Sequence, residues 1–135
     1  MLQRHIAGNH VTEQPIAATT AAGTNTNAIF RAPFRCTITG IYMLPTAAAT
    51  GHTTDNATVT ALNKGAAGAG TTEVASLALA NGVDLAAFDQ KDVTLSTTAA
   101  SLNLAEGDVL SFAIAKGGTG LATPAMTVGV LYKAR

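Results

Sequence analysis

Residues able to do chemistry are few in this chain, and each set can be weighed by its spacing. His5, His10 and Glu13 come first, with His52 the only other histidine. Metal ligands must converge on a rigid frame, commonly about two to four positions apart on a helix or turn. His5 and His10 are five apart in a segment with no helical apolar stripe. They are therefore expected to be solvated or at an interface, and no metal site is assigned. Gly65 to Gly70, followed by Thr71 and Thr72, has the G-x4-G spacing of a phosphate loop. It lacks the lysine that should follow Gly70, and no helix pattern follows to offer N-terminal amides. A hairpin turn is the better reading. Asp84, Asp89 and Asp92, with Asn81, form an acidic group that could supply oxygen ligands to Ca²⁺, but with no recognisable ligand register. Cys36 lies in a strongly apolar run, where a thiol is expected to be buried and inert. No serine has the G-x-S-x-G setting of an acyl-enzyme nucleophile. Asn56-Ala57-Thr58 matches the glycosylation triplet, and without a secretory signal it reads as coincidence. No catalytic residue, cofactor or metal is expected, and the chain is not expected to be an enzyme.

The elements that would position any site are strands. Cys36–Leu44 (CTITGIYML) is the clearest, with Cys36 and Ile38 in one phase and Ile41 and Met43 in the other. The phase changes at Gly40, which predicts a bulge or bend there. Ala28–Phe34 reads as a short edge strand because Pro33 cannot donate to a ladder. Asn56–Asn63, Thr71–Leu79, Val93–Thr97, Val109–Ala115 and Ala125–Tyr132 follow, with Leu102 and Leu104 leading into a Glu106-Gly107-Asp108 turn. Val83–Phe88 could be a strand or a short helical turn, and Asn81-Gly82 before it is a hairpin signal. No segment sustains a 3.6-residue period, and threonines and glycines interrupt the alanine-rich stretches. About eight short strands with glycine turns between them predict an all-β sandwich, jelly-roll-like, over residues 28–135. Residues 1–27 predict an extended N-terminal arm, with a short strand around Pro15–Thr20.

Composition narrows the function classes. Eight basic and eight acidic residues cancel, and charged residues are 12% of the chain, about half the usual share. A neutral balance without a basic block gives no electrostatic footprint for nucleic acid. No apolar run approaches the roughly 20 residues of a membrane span. The first twenty residues carry Arg4 and Glu13 and no apolar run, so no signal-peptide pattern appears. Twenty-eight alanines and 21 threonines leave few large core formers.

Three stretches together resemble a known family: FRAPFRCTITGIYMLPTAAATG, LNKGAAGAGTTEVASLAL and DVTLSTTAASLNLAEGDVLSFAIAKGGTGLATPAMTVGVLY. In order and spacing they are similar to the small β-sandwich decoration, cement or head-stabilising proteins of tailed-bacteriophage heads. The resemblance covers roughly residues 28–132. It implies a structural virion protein on the outer surface of an icosahedral capsid, made in the host cytoplasm. It also implies a homotrimer, the major capsid protein as partner, and an N-terminal arm that reaches that protein. Ile6, Val11 and Ile16 would be the arm's anchors if it adds a strand to a partner's sheet edge. Phe30 and Phe34 are the further expected contact residues. Low charge suits surfaces covered in an assembly. A carbohydrate-binding sandwich of a phage fibre or lectin-like protein is the alternative, although sugar sites favour exposed aromatics and this chain has no Trp and two Tyr. A cupin-like jelly roll would need His and Glu ligands on core strands, which the three histidines do not provide.

Overall fold

A computed structural model describes residues 8–135. Two antiparallel five-stranded sheets pack face to face as a β-sandwich, as the strand spacing predicts. The first sheet runs β1 (Asn9–Ile16), β10 (Met126–Ala134), β3 (Cys36–Pro45), β6 (Lys91–Asp92), and β8 (Asn103–Leu104) pairs with the other end of the β3 edge. The second runs β2 (Asn25–Arg31), β9 (Val109–Gly117), β4 (Asn56–Asn63), β5 (Thr72–Ala78), β7 (Thr94–Leu95). A 3₁₀ turn spans Ala99–Leu102. Among the described residues no helix is long and apolar enough to cross a membrane.

Alternation decides which side chains meet between the sheets. In β10, Met126, Val128, Val130 and Tyr132 point inward opposite Pro45, Met43, Ile41 and Ile38 of β3. From the second sheet come Val59 and Ala61 of β4, and Leu110, Phe112 and Ile114 of β9, all buried. Small alanines at Ala57, Ala61 and Ala75 are as fully buried as the large residues, so the sheets approach closely where they meet. The bulge expected at Gly40 is present: the β3–β10 register slips there, with Leu131 opposite Gly40 and Tyr132 opposite Ile38. That slip restores Ile38 and Ile41 to one face, which is why both phases of the sequence read as apolar.

Several expectations need correction. The segment expected to be an arm is, over Asn9–Ile16, an edge strand paired with β10 along its whole length. The expected boundary between residues 27 and 28 falls inside β2, and the strand expected around Pro15–Thr20 lies earlier. Pro15 is tolerated because β1 is an edge. Val93–Thr97 is not one strand. Lys91–Asp92 pairs with β3 in the first sheet and Thr94–Leu95 with β5 in the second, so the chain changes sheets at buried Val93. Asn81-Gly82 makes a turn with Gly82 at φ 85, closed by Val83 N–H to the Ala80 carbonyl at 2.9 Å. No hairpin follows, since the next strand lies in the opposite sheet. Val83–Phe88 is neither strand nor helix; Leu85 alone bridges Ala49, exchanging both backbone hydrogen bonds.

The candidate phosphate loop is the β4–β5 hairpin turn, closed by Gly70 N–H to the Lys64 carbonyl at 2.8 Å. Two longer loops are tied by one cation. Lys116 Nζ donates to Thr19 Oγ1 at 2.8 Å, to the Thr20 carbonyl at 3.2 Å and to the Leu121 carbonyl. Burial pushes its pKa below the usual lysine range. It fastens the segment after β1 to the glycine-rich loop before β10.

Candidate docking face and edge groove

Most of the candidate residues are engaged in structural contacts. Cys36 is fully buried, and burial pushes its thiol pKa up, away from the thiolate a nucleophile needs. The Asp84 carboxylate accepts the Gly51 N–H at 2.8 Å, and Asp92 accepts from Gln90 at 2.8 Å, so these acids hold turns. Among the described residues no group of three or more His, Cys, Asp or Glu could hold a metal ion. His52 Nδ1 accepts the backbone N–H groups of Thr54 and Asp55, at 3.1 and 3.0 Å. Asp55 accepts the Thr119 N–H at 2.9 Å, and that bond lowers its pKa.

The outward face of the first sheet is different. Antiparallel sheets normally present polar residues to water. Here the register places Leu44 beside Thr127, Tyr42 beside Gly129, and Gly40 beside Leu131, with Val11 beyond Leu131 on β1. Val11 is 56% exposed, and Leu131 and Leu44 are partly so. Of the ionisable residues on this face, Lys133 lies near the end of β10, while Glu13 on β1 and Asp92 on β6 belong to the Gly129–Tyr42 rung that separates Leu131 and Val11 from Leu44.

One rung of this face is built with unusual closeness. Glu13, Gly129 and Tyr42 are direct partners across β1, β10 and β3. The Tyr42 ring lies flat over Gly129, and its hydroxyl donates to Glu13 Oε2. A Cβ at position 129 would sit 2.1 Å from the ring. The bond to Glu13, then burial, then the Glu13 charge push the Tyr42 pKa up to about 12. A raised tyrosine pKa contributes stability that is complete below pH about 10, the ordinary value, and is lost as pH rises through about 12. With no Trp and two Tyr, tyrosinate absorbance reads this directly. In a Tyr132→Phe background the remaining titration should centre near pH 12, and adding Glu13→Gln should move it down. A midpoint unmoved by Glu13→Gln would show that the bond does not set it.

A second feature lies on the open side of the sandwich. β1 and β2 are both edge strands, and no strand pairs with their outer edges among the described residues. Between them runs a groove of about 530 Å³. Phe30 and Tyr132 line it, with ring centroids 4.7 Å apart, alongside Thr12, Gln14, Ala28 and Arg31. His10 stacks on Tyr132 at 5.2 Å, and Phe34 meets the His10 ring edge-on at 5.6 Å.

The expected contact residues therefore separate. Ile16 is buried in this chain's own core, away from the contact surface expected of it, whereas Phe30 is buried with its ring lining the edge groove. Ile16 is the last residue of β1 and packs inward opposite Met126. A bulge between Ala28 and Phe30 turns both Ile29 and Phe30 inward. Phe34 is partly buried against the same core. Val11 remains on the outer face, and Ile6 lies outside the described residues. Sequence reasoning missed the exposed Phe88 and the Tyr42 rung. Tyr42 and Tyr132 are each 8% exposed, Tyr42 lying over Gly129 and Tyr132 lining the edge groove.

No family model matches the chain, and no curated protein matches it. A solved structure of infectious bursal disease virus, Gx strain, is similar at TM-score 0.38 and 14% identity, over 91% of this chain. The match spans about a third (32%) of that viral chain. A likeness at that score carries no argument about this protein.

Proposed function

We propose that the protein is a structural virion protein that binds the outer surface of an icosahedral phage capsid and stabilises it. The observation that carries this reading is the outward face of the first sheet, where Val11 is exposed and Leu131 and Leu44 are partly so, on either side of the Tyr42–Glu13 rung. Apolar and aromatic side chains with a few polar groups are the composition of a protein–protein interface, and a sheet face needs a reason to be apolar when it faces water. The resemblance of residues 28–132 to decoration proteins supplies the partner, the major capsid protein, and a trimeric arrangement. The low charge of the whole chain agrees with a surface that spends its working life covered.

Co-sedimentation with purified phage heads lacking the protein tests the reading. The wild-type chain should pellet with heads and raise the temperature at which they rupture. Leu131→Glu, placing a charge beside Val11 on this face, should weaken binding at least about tenfold. Glu73→Ala, exposed on β5 of the other sheet, should bind as the wild type does. Wild-type chain that stays in the supernatant, or Leu131→Glu that binds normally, would remove the proposal's support.

A further inference from the structure

Phe88 is the most exposed large apolar side chain among the described residues, at 80%, and it sits at φ 58. A non-glycine residue in the left-handed region is strained, and a bulky one is a genuine outlier. Two backbone hydrogen bonds hold it there, Phe88 N–H to the Pro45 carbonyl at 2.8 Å and Asp89 N–H to the Ala86 carbonyl at 3.2 Å. The flanking Ala86 and Ala87 are exposed, as are Ala47 and Ala48 of the neighbouring loop, which the Ala49–Leu85 bridge brings alongside. The fold thus accepts strain to raise one aromatic ring above a surface of small methyl groups.

The complementary shape is on the same chain. The edge groove between β1 and β2 has an aromatic floor of Phe30 and Tyr132, an apolar lip at Ala28 and Pro33, and a cation at Arg31. Phe88 is followed by Asp89, so ring and carboxylate would arrive together at ring floor and guanidinium. Phe88 does not fill the groove of its own chain. Phe88 hangs from Pro45 in β3, with β10 between it and β1, a gap of roughly 10 Å. Its loop then leads into β6, on the edge of the sheet away from the groove.

We infer that Phe88 of one copy docks in the β1–β2 edge groove of a second copy, with Asp89 facing Arg31. Knob and groove occupy different places, so the contact is heterologous and successive copies link head to tail, closing a ring where the rotation permits. A buried phenylalanine removes about 150–250 Å² from water, and a single aromatic anchor in a pocket commonly dominates such a contact. The contact forms without a capsid and is independent of capsid binding.

Sedimentation velocity of the full chain, without capsids, tests it. Wild type should be oligomeric. Phe88→Ala should associate at least roughly thirtyfold more weakly while keeping its circular dichroism. Gln14→Trp, which fills the groove from an exposed position on β1, should do the same, and Arg31→Glu should weaken association against Asp89. The decisive arm mixes Phe88→Ala with Gln14→Trp: one retains a groove and the other a knob, so the mixture should form a one-to-one dimer and nothing larger. A monomeric wild type, a Phe88→Ala variant of unchanged mass, or a mixture that stays monomeric would each overturn the inference.

Discussion

Gly129→Ala should lower stability by roughly 2–4 kcal/mol, and the same substitution in a Tyr42→Ala background should be neutral or stabilising. The sign change follows from one rung of the first sheet. In a strand interior, alanine is favoured over glycine by about 0.5–1 kcal/mol because less backbone entropy is lost. At position 129 that gain is outweighed, since the new methyl would lie 2.1 Å from the Tyr42 ring. Forcing a ring out of a packed position costs about 1–3 kcal/mol. The displaced hydroxyl also loses Glu13, a bond to a charged acceptor worth about 1.5–3 kcal/mol. Removing the ring removes both costs and leaves the entropic gain. Urea unfolding of the four chains of this double-mutant cycle measures the coupling directly. Equal effects of Gly129→Ala in both backgrounds would show that the ring does not require the glycine.

Ile16→Ala should cost about 2–5 kcal/mol, and Val11→Ala less than about 0.5 kcal/mol, although the two residues belong to the same strand. Ile16 is 2% exposed and packs in the core opposite Met126, whereas Val11 is 56% exposed on the outer face. Ile16 is the single fully buried side chain of β1, so its truncation removes the main attachment of that edge strand. Hydrogen exchange should therefore speed up first over Asn9–Ile16 and its partner β10, before the β4–β9 pairing in the other sheet. Val11→Ala should act on capsid binding without that local opening. If both substitutions destabilised the fold equally, β1 would be held by its ladder and not by Ile16.

The inner strands are legible in the sequence where burial and alternation coincide. β4 occupies Asn56–Asn63 as read, because Ala57, Val59 and Ala61 alternate with threonines on a strand buried on one face. Gly40 marks the bulge because an extra residue in one strand of a pair shifts the inward phase by one, and the apolar run records that shift. β1 does not read as a strand because its inward residues before Ile16 are His10, stacked on Tyr132, and Thr12 and Gln14, which line a groove and not a core. The Tyr42 rung joins residues 13, 42 and 129, and the sheet register that aligns them is a long-range property. Phe88 could not be recognised as exposed from its sequence, since a phenylalanine after a leucine and two alanines reads as core.

The pairing of the first strand with the last has a kinetic side. Ile16 meets Met126, so β1 has no partner in its sheet until about 110 further residues have been made. At the usual pace of synthesis, about 5–20 residues per second, that interval lasts roughly 5–20 s. β3 waits for the same strand on one edge, though β6 and β8 reach its other edge sooner, and β2 waits for β9, whereas the β4–β5 hairpin is local. The nascent chain thus spends seconds with open strand edges, the condition in which sticky segments aggregate. A chain rich in alanine and threonine exposes little large apolar surface during that wait. The sparing use of Leu, Ile, Val and Phe serves the ribosome-bound chain as well as the finished sandwich.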